Sequence, residues 1–130
     1  MEEVRFAAGN ITFVVRELHT RQGDGVSVDI LAGESGHEAS VIRLDWFPNS
    51  PHYHYNPKRG QNPEMPLDPA LIGDSMDWFL KRIPDRLADM VLRAGHPDVA
   101  KAIDPNELAR AMPDVKSAAK KARQECGAQE

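Results

Sequence analysis

Apolar residues recur with period two in the first half of the chain and with a helical period in the second. Ile11-Thr12-Phe13-Val14-Val15 is β-branched and aromatic, and Gly9-Asn10 ahead of it reads as a turn from a short strand around Val4 to Phe6. Val26-Ser27-Val28-Asp29-Ile30 alternates, placing Val26, Val28 and Ile30 on one face and Ser27 and Asp29 on the other. Gly23-Asp24-Gly25 and Gly33-Glu34-Ser35-Gly36 bracket it as turns. A fourth strand is predicted from Val41 to Phe47, with Ile42, Leu44 and Trp46 opposed to Arg43 and Asp45. Short loops between successive strands favour an antiparallel meander of four to five strands, buried on one face and wetter on the other.

In the second half Met76, Phe79, Leu80, Ile83, Leu87, Met90, Val91 and Ala94 form an amphipathic stripe. Asp74 is its N-cap candidate and Gly95 its stop, while Pro84 should kink it or open a second helix. Asp104-Pro105-Asn106-Glu107 combines a cap, a first-turn proline and an acid at the third position, a start signal for a short helix. A last helix from about Asp114 to Arg123 has only Val115 and alanines to bury, so it is expected to dock loosely. Strands followed by helices give an α+β fold with the helical layer packed on one sheet face.

Composition sharpens this picture at one place. Of ten prolines, six (Pro48, Pro51, Pro57, Pro63, Pro66 and Pro69) fall in one 22-residue window between the two halves. Connections longer than about 12–15 residues without structure are uncommon in compact domains and are usually functional or disordered. Tyr53, Tyr55 and Met65 give the window something to bury, so an ordered loop is expected. The organisation is then a single domain over 1–130, strand-rich over 1–47, a proline-rich loop over 48–73 and helical over 74–126.

The 130 residues carry 16 Lys plus Arg against 20 Asp plus Glu, a net charge of −4 that does not draw in nucleic acid or an anionic membrane. No run approaches the roughly 20 apolar residues of a membrane span, and Met1-Glu2-Glu3-Val4-Arg5 has no secretory character. Cys126 is the single cysteine, which excludes an intrachain disulfide and a thiolate-rich zinc site. A reducing, cytoplasmic setting is the simplest expectation.

Candidate chemistry concentrates in Pro51-His52-Tyr53-His54-Tyr55-Asn56-Pro57. In an extended strand His52 and His54 project from one face about 7 Å apart, a spacing from which two imidazoles can converge on one ion. Two tyrosines bury more apolar area at less desolvation cost than two histidines. Tyr53 and Tyr55 should therefore pack under the helices, leaving His52 and His54 on the wetter face with Arg43 and Asp45, and with Asp29 if strand order permits. The third ligand of such a divalent-metal site is Asp45, His37 or Glu64. The alternative is that the imidazoles hydrogen-bond to backbone carbonyls of the proline loop. The His-x-His pair followed by a carboxylate resembles the ligand set of double-stranded β-helix metalloproteins. The chain has no glycine-spaced second motif with a distal histidine, however, and too few strands for that fold.

Lys58 and Arg59, beside Gly60, are candidates for binding an anion, or else solvated loop charges. His96, after Gly95 and before Pro97, reads as a charge or cap at a helix C-terminus, and His19 and Arg21 as a polar turn. Lys116, Lys120, Lys121 and Arg123 make the last helix basic, which is usually a solvated face. No phosphate loop and no nucleophile elbow is present.

Arg43-Leu44-Asp45-Trp46-Phe47, Pro51-His52-Tyr53-His54-Tyr55, Leu67-Asp68-Pro69 and Asp77-Trp78-Phe79 together resemble a group of small uncharacterised bacterial proteins. In these an Arg-Leu-Asp strand runs into Phe, Pro and His-Tyr-His-Tyr, then a Leu-Asp-Pro turn and a Trp-containing helix. The resemblance spans roughly residues 25 to 95. It implies the architecture above, and it carries over no catalytic residue because the group has no assigned activity. Two functions follow as expectations. One is a binding or interaction protein using the proline window, with His52, Tyr53, His54, Tyr55, Lys58 and Arg59, as a surface for a protein partner or a second copy. The other is a metal-dependent hydrolase or nuclease-like enzyme built on His52, His54 and Asp45.

Overall fold

The computed structural model describes residues 3–21, 23–33, 37–58 and 64–126. Six strands form one antiparallel sheet in sequential order: β1 (Val4–Ala8), β2 (Ile11–Thr20), β3 (Gly23–Ala32), β4 (Ala39–Trp46), β5 (His52–Tyr55) and β6 (Glu64–Pro66). Four helices follow: α1 (Pro69–Ile72), α2 (Ser75–Arg93), α3 (Pro97–Ala102) and α4 (Pro105–Glu125). The class is the α+β meander expected, with the strand count raised to six.

The added strands come from the proline window. That segment is not one irregular crossover, because it carries β5, β6 and α1. Its prolines stand where a missing N–H costs least. Pro51 precedes β5, Pro66 ends the edge strand β6, and Pro69 occupies the first turn of α1. Pro51 still contributes its carbonyl, which accepts from the Leu67 N–H at 2.9 Å. Residues 34–36 of the turn before β4, and Pro63, lie outside the described residues.

Register aligns the apolar alternation into continuous rows. Ile30, Ile42 and Tyr55 are cross-strand partners, as are Val28, Leu44, Tyr53 and Met65. This face is covered by α2 and α4, whose stripes meet it through Met76, Phe79, Ile83 and Leu87, and through Leu108, Met112 and Val115. A shift of register between Ile30 and Leu31 leaves Val41 as an extra residue, so Ser40 pairs with Leu31 and falls on the other face, where it donates to Asp29. Gly25 has a specific reason: a Cβ there would collide with the Trp46 carbonyl and the Phe47 ring.

Two helical expectations need correction. Pro84 opens no second helix, since α2 runs on through it, and the last two predicted helices are one, α4, running through Pro113. Both prolines are on the solvent side, so each apolar stripe passes through unbroken. The C-terminal segment also docks closely. Ala111, Ala119 and Ala122 are buried, because small side chains allow the helix axis to approach the sheet.

Arg123, read from the sequence as one of four solvated charges, lies across Trp46 at 5.2 Å from the ring centroid and donates to Asp74 at 2.9 Å. Asp74 is the N-cap of α2 and accepts from the Asp77 N–H at 3.2 Å. One carboxylate thus ties the start of α2 to the end of α4. Burial pushes its pKa up, but the Asp77 N–H and the Arg123 guanidinium outweigh burial and hold it below the ordinary carboxylate value. A depressed folded-state pKa contributes stability that is present above the unfolded value and is lost as pH falls through the folded one. Asp74→Ala is therefore expected to cost about 1 to 2 kcal/mol at pH 7. The gap to the parent should narrow below about pH 4. Urea unfolding of both chains at pH 7 and pH 3 measures it, and an equal gap at both values would contradict the ion-pair account.

Candidate metal centre on the second face of the sheet

The helix-free face is polar along two rows. Arg16, Ser27, Asp45 and His52 are successive cross-strand partners over β2 to β5, and Val14, Asp29, Arg43, His54 and Glu64 form the next row over β2 to β6. Alternation in β5 sends the two histidines to this face and the two tyrosines to the helices, as the sequence predicts. Tyr53 meets Phe79 of α2 edge-on at 5.7 Å and Tyr55 at 5.5 Å. Burial pushes the Tyr55 phenol up to about 12, with the neighbouring Tyr53 acting in the same direction.

The expected wetter character of this face is wrong at β5. His52 is 5% and His54 8% exposed, both more buried than the tyrosines behind them. Neighbouring side chains cover them. The Phe47 ring stacks on His52 at 5.8 Å, and the two imidazoles meet edge to face at 5.0 Å. Asp45, 3% exposed, is clasped by Arg43, whose Nε donates to Oδ1 at 2.9 Å and whose Nη2 donates to Oδ2 at 3.0 Å.

The His52 tautomer follows from its partner. Nδ1 lies 2.8 Å from the Ser50 carbonyl oxygen, which can only accept, so Nδ1 carries hydrogen. The alternative reading of the imidazoles, as donors to loop carbonyls, is thus met at His52 Nδ1. His52 Nε2 then points inward, 3.3 Å from Asp45 Oδ2 and 3.6 Å from Glu64 Oε1. His54 Nε2 lies 3.4 Å from the same Asp45 Oδ2. A bare ring nitrogen facing a carboxylate oxygen is repulsive unless a positive species lies between them, either a proton or a cation. One ligand atom from each of Asp45, His52 and His54 falls within 4.8 Å of the other two, the only such group among the described residues. Two imidazoles and one carboxylate suit zinc and its divalent first-row neighbours.

The other candidates sit elsewhere. Glu64 borders the cluster but is largely exposed, and His37 is not part of it. Asp29 lies one row over and accepts from Ser40. Lys58 lines a separate cleft of about 480 Å³ with Arg5, Arg16, Asp29 and Asn56, and Arg59 is outside the described residues. His96 caps the end of α2 as expected, its backbone N–H donating to the Val91 carbonyl at 3.2 Å, and also stands at the N-cap of α3, with its Nε2 2.5 Å from Asn56 Oδ1. His19 pairs with Asp24 at 2.9 Å at the exposed end of the β2–β3 hairpin. Sequence reasoning placed Ser27 on this face but missed the Arg43 fork and the pairing of Ser27 with Asp45, where its buried hydroxyl has no hydrogen-bond partner. The Arg-x-Asp alternation signalled the first. Nothing local signalled the second.

An open antiparallel sheet, helices on one face and a buried His-His-Asp cluster on the other define an α+β domain with a buried polar layer. No curated protein and no solved structure matches the chain. A family model described as a domain of unknown function (DUF7700) matches residues 5–119, and the chain belongs to that family. The match extends on both sides beyond the 25–95 span of the resemblance noted above.

Removing Arg43 leaves the Asp45 carboxylate buried without its fork. Arg43→Met is expected to cost about 3 kcal/mol in urea unfolding, and Arg43→Lys to recover less than half of it, because a point charge cannot take both oxygens. A loss below about 1 kcal/mol, the scale of an exposed pair, would mean that the pair does not hold the layer.

Proposed function

We propose that the protein is a small binding protein whose polar sheet face holds one divalent transition-metal ion through His52 Nε2, His54 Nε2 and an Asp45 carboxylate oxygen. The observation that carries this is the convergence of the three donors: with Nδ1 donating to Ser50, His52 Nε2 is left facing Asp45 Oδ2 at 3.3 Å, with His54 Nε2 beside the same oxygen. The runner-up, metal-dependent hydrolysis, uses the same donors and adds a metal-activated water. The burial of all three donors and the arginine fork on Asp45 favour a closed binding site over one with an open coordination position. Lys58, the candidate anion-binding residue, lines a cleft with Arg16 and Asp29 whose walls do not include Asp45, His52 or His54. A bacterial, cytoplasmic source and little affinity for nucleic acid belong to the same proposal. The net charge of −4 and the engagement of Arg123 by Asp74 both weigh against the basic helix as a nucleic-acid surface.

Metal analysis of protein purified without chelator is expected to find close to one ion per chain. Zinc at 100 times its dissociation constant stabilises by about 2.7 kcal/mol, which raises the melting temperature by roughly 10 °C for a chain of this size. Chelator should reverse the shift, and His52→Gln/His54→Gln should abolish it. No retained metal, with no shift from Zn, Mn, Ni or Fe, removes the proposal.

The proline window also remains our proposed surface for a partner or second copy. Leu71 on α1, 84% exposed, is the most exposed large apolar side chain among the described residues. Light scattering should find a dimer in the parent and a monomer in Leu71→Ser. A monomer in both chains would end the dimer role.

A further inference from the structure

The side of β5 opposite the histidines borders a second, unrelated cavity of about 360 Å³ between the sheet and α2. Its floor is apolar and aromatic, with Leu44, Tyr53, Tyr55, Trp78 and Met90 among the side chains that form it. Its charged lining comes from one stripe of α2. Arg82, Arg86, Asp89 and Arg93 recur at spacings of four, three and four, which places them along a single edge of the helix. Three cations against one anion leave a local excess of +2 in a chain whose net charge is −4.

The three arginines are not equally engaged. Arg86 pairs with Asp89 at 3.0 Å. Arg82 lies over the Trp78 ring at 5.4 Å, and neither it nor Arg93 has a carboxylate partner among the described residues. An apolar pocket with unneutralised guanidinium groups at its rim is complementary to an apolar body carrying an anionic head. Guanidinium forks match the two oxygens of a carboxylate. The volume is near the lower end of small-molecule pockets, about 300 to 1,000 Å³. It suits one short chain or one bicyclic ring and leaves no room for a diacyl lipid.

We propose that this cavity is a binding site for small monocarboxylates with an apolar body, the body lying on Tyr53, Tyr55 and Trp78 and the carboxylate taken by one of the two guanidiniums without a carboxylate partner, Arg82 or Arg93, which stand about 16 Å apart along α2 and do not share it. The site does not depend on the metal reading, since its side chains leave the sheet from the opposite face. The shared chemistry allows an aromatic or an aliphatic acid, and the probes separate the two.

Isothermal titration of the full chain with 1-naphthoate and with decanoate, each against its neutral alcohol, tests the proposal. At least one acid should bind saturably and at least about tenfold more tightly than its alcohol, the size of one charge-assisted hydrogen bond. Which acid binds better identifies the body. Arg82→Gln/Arg93→Gln should bring acid and alcohol to equal affinity. Both positions are exposed, so the variant's melting temperature should stay within about 2 °C of the parent. Equal affinity for acid and alcohol in the parent would overturn the proposal. So would an acid preference that survives in the double variant, or no saturable binding up to the solubility of either acid. The same titration of His52→Gln/His54→Gln should be unchanged, so failure of the metal centre and failure of this cavity are read separately.

Discussion

The pairing register of β4 with β5 is the constraint on which both faces of the sheet depend. Leu44 opposes Tyr53 and Asp45 opposes His52. A slip of one residue would send the tyrosines to the polar face and the histidines under α2. The core would lose the edge-on contact of Tyr53 with Phe79, and the Asp45 carboxylate would face a phenol ring. β5 is tied to a neighbouring strand at each end, to β4 at its C-terminus and to β6 at its N-terminus. Asn56 N–H donates to the Val41 carbonyl at 2.9 Å on one side, and Leu67 N–H donates to the Pro51 carbonyl at 2.9 Å on the other.

A buried polar layer is an expensive thing to build into a sheet, because each charge leaves water. Here the cost is offset locally. Arg43 satisfies both oxygens of Asp45, Ser40 donates to Asp29, and Ser50 receives the His52 N–H. What this network leaves over is chemically specific: a second imidazole nitrogen beside an occupied carboxylate, and a serine hydroxyl with no partner. Stability and the proposed metal binding therefore rest on the same residues. Arg43 serves the first and sets the geometry of the second.

On the helical side small residues play the part that large ones play in the sheet. Alanines at 111, 119 and 122 bring α4 close enough for Arg123 to reach both Trp46 and Asp74. Helix propensity and a weak apolar stripe alone suggested a loose appendage. The closeness of two surfaces, which a short stripe of alanines permits, made it part of the core. The same lesson applies to the prolines. Their density suggested a loop, while their individual positions at strand ends and in first helical turns are compatible with regular structure.

Local periodicity determined the α+β class, the faces of β3, β4 and β5, the N-caps at Asp74 and Asp104, and the choice of His52, His54 and Asp45 as the residues to watch. Those are properties of neighbours along the chain, set by the two-residue repeat of strands and the capping needs of helices. Tertiary structure decided the rest: that the histidine face is buried, that Phe47 and Arg43 cover it, that Ser27 stands opposite Asp45, and that α2 aims an arginine-edged cavity at the tyrosines. Alternation states which side a residue leaves the backbone. What lies across from it depends on strand order, register and the approach of distant helices, and these are contacts between residues far apart in sequence.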